Sequence, residues 1–205
     1  MIVYLCDISE ADTEKLQCHL TDTQLKRYRQ CIRPERCRQY LCSRVFYNRM
    51  KKALGAAGDE DFPAGLPHRP LQTDQGTLFT SLSHSGDFFA FALATNPTAV
   101  DLEVMRARNF KALADCAFNE STAEKVRNSD NPAKTFHECW AQHECQIKLP
   151  TNPQTNDLYH FSCHWEEKNG SELCLGVLKE KSESLTIQWI PKMTADFSEL
   201  KHDFK

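Results

Sequence analysis

Three carboxylates in two separate segments are the side chains of this sequence best placed to do chemistry. Asp101 and Glu103 alternate through the apolar run A-V-D-L-E-V at 99–104. Successive side chains of a strand point to opposite faces, so the two acids share one side and Val100, Leu102 and Val104 take the other. Glu144 lies in W-A-Q-H-E-C-Q-I-K at 140–148, where Ala133, Phe136, Trp140 and Ile147 trace the apolar stripe of a helix and Glu144 falls on it. Ionised carboxylates are seldom buried without a partner. Glu144 is therefore read either as half of a structural ion pair or as a metal ligand. Lys148, one turn further on, is either its i, i+4 partner or a second group facing a bound phosphate. If the two segments meet, three hard oxygen ligands converge beside a lysine, a pocket for a divalent cation and a phosphate. Magnesium suits such a pocket, because it takes few carboxylates and completes its octahedron with water and phosphate oxygens. His84, flanked by Ser83 and Ser85, adds an imidazole and hydroxyls of the kind a phosphate contact needs.

The elements that must position these groups carry clear punctuation. Thr21-x-x-Gln24 is a capping-box pattern for a short helix toward Cys31. Pro34 opens a longer helix that Gly55 is placed to end, with Cys37, Leu41, Val45 and Leu54 near one face and Tyr40 and Phe46 at its edges. A Gly/Pro-rich connection is expected over 55–70, with turns at Pro63-Ala64-Gly65 and Leu66-Pro67. Strands are expected at 78–82 and 88–94 around a turn at 83–87, then at 99–103 after the turn Thr95-Asn96-Pro97. Ser121-x-x-Glu124 starts another short helix. Asn131-Pro132 starts one running to about Leu149, which Pro150 ends. Strands follow at 158–165, 173–178 and 185–190, with a hairpin turn at Asn169-Gly170. The order strand, helices, strands occurs twice, which implies an α+β fold of two similar halves, 1–97 and 98–205, related by pseudo-two-fold symmetry.

Composition bounds the partners. Of 205 residues, 40% are apolar and 26% charged, enough for a buried core. No apolar run is long enough to span a membrane, and the acids near Met1 make that segment a first strand rather than an export signal. The ten cysteines form no C-x-x-C pair, which fits reduced thiols in a cytoplasmic protein. A zinc site from Cys139, His143, Cys163 and His164 is a minor alternative. Net charge is −3, yet residues 26–52 hold ten Lys or Arg and one acid, Glu35. That excess points to an anionic partner, a small polyphosphate or an acidic protein, and no nucleic-acid motif accompanies it.

Together these segments resemble the 4′-phosphopantetheinyl transferases, in particular the long monomeric class. The likeness covers most of residues 33–148: R-P-E-R-C-R-Q-Y-L-C-S-R at 33–44, H-R-P at 68–70 for the usual G-K-P, and S-L-S-H-S-G-D at 81–87. It continues with A-V-D-L-E at 99–103 for G-[IV]-D-[IL]-E and W-A-Q-H-E-C-Q-I-K for W-[ST]-x-K-E-x-x-x-K. The resemblance implies magnesium (or manganese) bound by Asp101, Glu103 and Glu144, with Glu144 also the base and Lys148 on the phosphates of coenzyme A. It further implies that Arg38 holds the 3′-phosphate, that Arg69 lies near the nucleotide, and that Ser83, His84 and His143 border the coenzyme. The second substrate would be an acidic acyl or peptidyl carrier protein. Three departures stand out: His143 for lysine, which removes a fixed charge; Ala99 for glycine; and P-T-N-P-Q-T-N where glycines often follow. They motivate a second expectation, a relative that binds coenzyme A or carrier protein without efficient transfer.

Overall fold

The computed structural model describes residues 1–56, 68–74, 76–149, 158–166, 170–190 and 193, with the backbone alone at 68 and 69. The turns expected over 63–67, the stop at Pro150 with the tract after it, and Asn169 lie outside the described residues.

The chain begins with β1 (Ile2–Asp7), a short α1 (Thr13–Leu16) that runs into a single 3-10 turn, α2 (Asp22–Arg29) and α3 (Pro34–Ala53). Both bonds of the Thr21/Gln24 capping box form at the head of α2, and Pro34 occupies the first turn of α3. There follow β2 (His68–Thr73), β3 (Gly76–Ser85) and β4 (Phe88–Ala94). The second half repeats the order with β5 (Ala99–Met105), α4 (Phe110–Ala117), α5 (Glu120–Arg127), α6 (Pro132–Lys148), β6 (Leu158–Glu166), β7 (Glu172–Glu180) and β8 (Thr186–Ile190).

The result is an α+β fold with two sheets and six α-helices among the described residues. Sheet order is β2-β3-β4-β1-β8 in one and β5-β7-β6 in the other. The halves repeat in element order but not in pairing: β8 leaves the second sheet and runs parallel to β1, Ile2 opposite Thr186. The two sheets bury a common face. Val3, Leu5, Ala90 and Ala92 of the first meet Val100, Leu102, Leu175 and Val177 of the second. The other face of the first sheet is covered by α3, whose Phe46 is fully buried with ring centroids 5.4 Å from those of Tyr4, Phe89 and Phe91. Phe46 thus sits at the centre of that face, not at its edge, while Cys37 is only half-buried.

Helix α6 covers β5 and β7, and here the expected stripe is corrected. Phe136, His137, Cys139, Ala141 and Cys145 are its buried positions, with Leu149 just past its end, whereas Ile147 is 63% exposed and Glu144 half-buried. The helix lies so close because β7 offers Gly176: a Cβ there would sit 2.7 Å from that of Ala141. Contact with a glycine favours small residues, so α6 turns Ala141 and Cys145 inward and leaves Glu144 beside the seam.

Three further differences concern boundaries. The connection after α3 gives way to a strand from His68. The helix expected from Ser121 is α5, capped two residues earlier by Asn119, whose side chain accepts from the Thr122 N–H. The turn expected at 83–87 shrinks to Gly86-Asp87, because β3 continues to Ser85, which pairs with Phe88. Gly86 has φ +55° and Asp87 a negative φ, the sign pattern of a two-residue II′ hairpin turn.

Candidate functional site

The face of β5 toward α6 presents Ala99, Asp101 and Glu103, and both neighbouring elements have groups that meet them. From α6, the Lys148 ammonium donates to Asp101 Oδ1 at 2.7 Å and to the Val100 carbonyl at 3.0 Å. This joins the D-x-E strand to the E-x-x-x-K helix through Lys148. From β3, every second residue is a serine, and the three hydroxyls lace the free edge of β5. Ser81 Oγ accepts from the Val100 N–H at 3.1 Å, and Ser83 Oγ donates to Asp101 Oδ1 at 2.8 Å. Ser85 Oγ accepts from the Val104 N–H at 3.0 Å and donates to Glu103 Oε2 at 3.2 Å. The Trp140 indole donates to Glu103 as well.

These carboxylates are poorly hydrated. The Asp101 side chain is 5% exposed, and its Oδ2 is buried with no hydrogen-bond partner among the described residues. Burial and the neighbouring Asp101 charge raise the Glu103 carboxyl above its usual range, against the pull of Ser85, Trp140 and Lys148. An unsatisfied buried oxygen beside a second, destabilised carboxylate fits a hard divalent cation, which needs only one or two such ligands. Glu144, one turn before Lys148 on α6, is not gathered with them. Among the described residues no group of three or more His, Cys, Asp or Glu side chains stands ready to hold a metal ion. The same observation leaves the zinc alternative without a site; His164 instead contacts Glu138 and Met105.

Glu103 opens onto a cavity of about 740 Å³. Its charged and polar lining includes Glu35, Arg36 and Gln39 of α3, His84, Arg106 and Arg108, and its apolar lining includes Phe110, Leu113, Phe136 and Trp140. His84 is a strand residue opposite Phe89, facing α3. Burial, then the charges of Arg36, Arg44 and Lys148, hold its imidazole below the usual value, so it is neutral at pH 7. Its Nδ1 lies 3.4 Å from Arg36 Nη1. A guanidinium only donates, so a hydrogen bond from Arg36 needs the tautomer with the ring proton on Nε2. His143 also lines the cavity, exposed and 5.9 Å from the Trp140 ring. Arg38 lies elsewhere, bound to Asp87 at 2.5 Å while Gln39 donates to the Gly86 carbonyl at 2.8 Å, so α3 clamps the β3–β4 turn. Arg69, on β2, lies opposite Thr80 of β3, and its side chain is outside the described part.

No protein-family model matches the chain, and comparison with characterised proteins finds no significant sequence similarity. The site is therefore read from its own groups. The sequence pattern singles out Asp101, Glu103, Ser83, His84, Ser85, His143 and Lys148 but not Ser81, Trp140, Arg36, Arg106 or Gly176. The serines had a signal: S-x-S-x-S has the same period of two as D-x-E, and strands whose polar residues keep one period can face each other.

Proposed function

We propose that the chain transfers the 4′-phosphopantetheine moiety of coenzyme A to a serine of an apo acyl or peptidyl carrier protein, giving holo carrier protein and 3′,5′-ADP. The observation that carries this reading is the Lys148–Asp101 contact. It unites at one cleft the strand and helix motifs through which the chain resembles the 4′-phosphopantetheinyl transferases. The α+β architecture and the repeated element order agree with the two-halved fold of that family.

In this reading Arg36, Arg106 and Arg108, which line the cavity, attract the phosphates, and His84 Nε2–H donates to one of them. Asp101 and Glu103, without Glu144, would hold magnesium, which when bound would offset pyrophosphate charge that repels a nucleophile. Glu144, half-buried at the seam, takes the proton of the acceptor serine. The serine oxygen attacks the β-phosphorus of coenzyme A, the bond from that phosphorus to the bridging oxygen breaks, and 3′,5′-ADP departs. Lys148 supplies positive charge beside the strand acids and holds α6 in register with β5. The basic tract 26–52 provides a surface for an acidic carrier protein. A monomer suffices, since one chain carries both motifs, and the expected location is cytoplasmic. Among the described residues no helix is long and apolar enough to cross a membrane.

The test is the mass gain of an apo carrier protein incubated with coenzyme A, magnesium and this protein, across a panel of carriers. Wild type should add phosphopantetheine to at least one, and Glu144→Gln should not while melting as wild type does. Equal rates for both would remove the proposed site. A second reading, a binder of coenzyme A or carrier protein without efficient transfer, is favoured by His143 in place of lysine and by the absence of a ready three-carboxylate group. Calorimetric binding of coenzyme A without product from any carrier would select it.

A further inference from the structure

Helix α6 buries one side chain that packing alone does not call for. His137 is 7% exposed, and its ring stands edge-on to Phe110 (centroids 5.0 Å apart) and Phe136 (5.8 Å). A phenylalanine or leucine would fill such a space without desolvating two ring nitrogens. One of those nitrogens is satisfied: Nδ1 lies 2.8 Å from the Ala133 carbonyl, one turn back on the same helix. A carbonyl only accepts, so Nδ1 carries a proton. Burial, against the pull of the Ala133 bond, holds the imidazole below its usual value, so at pH 7 Nε2 is an unprotonated acceptor. Nε2 sits at the far edge of the ring, and among the described residues no group donates to it. It is not sealed in, unlike the partnerless Nε2 of His160. His137 lines the cavity with Phe110, Phe136 and Trp140.

We propose that His137 sets ligand specificity in this cavity: its Nε2 accepts a hydrogen bond from an amide N–H or hydroxyl on the uncharged arm of a phosphorylated ligand. This rests on the transferase reading, in which that arm is the pantetheine of coenzyme A, a chain with amide N–H groups and a hydroxyl. His137 touches no reacting atom there and is a specificity residue, not a catalytic one. The division of labour is chemical. Arg36, Arg106 and Arg108 supply charge, which holds any phosphorylated ligand alike. A lone acceptor among aromatic rings discriminates instead. An arm with no donor would strip water from Nε2 and give nothing back. A carboxylate or phosphate, whose oxygens also only accept, is turned away toward the arginines.

The experiment is calorimetry on the intact protein with coenzyme A and with 3′,5′-ADP, which shares the nucleotide but has no arm. Wild type should bind coenzyme A more tightly. His137→Phe keeps a ring against Phe110 and Phe136 but has no acceptor. It should weaken coenzyme A by at least about fivefold and leave 3′,5′-ADP unchanged. His137→Gln, whose side-chain oxygen can take the place of Nε2, should restore most of the affinity. A residue that only packs would move both ligands together or neither. Nitrogen-15 NMR of histidine-labelled wild type reads the contact without relying on a variant's affinity. The unprotonated ring nitrogen of His137, assigned by its absence in His137→Gln, should move upfield with coenzyme A and hold still with 3′,5′-ADP. Unchanged coenzyme A affinity in His137→Phe, equal losses for the two ligands, or an unmoved resonance would overturn the proposal. If wild type binds neither compound, the transferase reading falls and the role of His137 with it. If wild type binds both and only the His137 comparisons fail, that role alone is lost.

Discussion

Replacing Lys148 by methionine should destabilise the protein far beyond the loss of an ordinary ion pair. The pair is closed from water, with side-chain exposures of 13% for Lys148 and 5% for Asp101 at 2.7 Å. Methionine keeps most of the stem volume but removes the charge, leaving Asp101 with the Ser83 hydroxyl on Oδ1 and nothing on Oδ2. Removing one partner of a buried pair costs about 3–5 kcal/mol, against about 0–1 kcal/mol for an exposed one. For a chain of this size that converts to a melting temperature lower by roughly 6–20 °C. Two companion measurements locate the cost. Because the cost is that of an unpaired buried charge, the deficit should shrink when the melt is repeated at acid pH. Asp101→Asn/Lys148→Met, which removes both charges and keeps an acceptor for Ser83, should recover most of the loss. Thermal unfolding followed by circular dichroism in metal-free buffer reads all three. A drop of under about 2 °C, within the range of an exposed pair, or a double variant no better than the single, would refute the reasoning.

Three further outcomes follow from other contacts. Gly176→Ala places a methyl 2.7 Å from the Ala141 Cβ and should cost about 1–3 kcal/mol by forcing α6 away from β7; an unchanged melting temperature would mean that the helix yields freely. Glu103 has a raised folded value, so its contribution is fully present below the ordinary value of 4.5 and is lost as pH rises through the raised one. In metal-free buffer the melting-temperature difference, Glu103→Gln minus wild type, should therefore grow from pH 4 to pH 7, and a flat difference counts against it. His84, His137, His160 and His164 all have values lowered chiefly by burial. Their stability is present above the unfolded value of 6.5 and is lost as pH falls, when the unfolded chain takes up protons first. Stability should fall between pH 7 and pH 5, and less steeply in His160→Gln.

Much of the site could be read from spacing alone. The period of two put Asp101 and Glu103 on one side, and the four-residue step from Glu144 put Lys148 one turn further along α6. What sequence could not supply was the rotation of α6 about its axis. Large apolar residues suggested a stripe through Ile147, yet the helix turns its small residues inward because Gly176 lets it approach, and a glycine thirty-odd residues downstream leaves no mark on a helical pattern. The length of β3 was missed for a related reason. Its serines read as a polar turn, but their hydroxyls are satisfied by the edge of β5, a partner in the other half. Asn119 outcompeted Ser121 as a cap because its amide oxygen reaches the third N–H of the helix. The 98–205 boundary follows the element order, while the parallel pairing of β8 with β1 is non-local and has no local signature.

That pairing shapes how the molecule is assembled. β1 is synthesised long before β8 and keeps one edge of N–H and C=O groups unmatched until residues 186–190 arrive, roughly 180 residues later. Until then the ribbon can accept any passing extended segment, including one from a neighbouring nascent copy. Closing so long a loop makes final docking slow relative to the local helices, and the last strand acts as a latch that seals the first sheet against such mispairing.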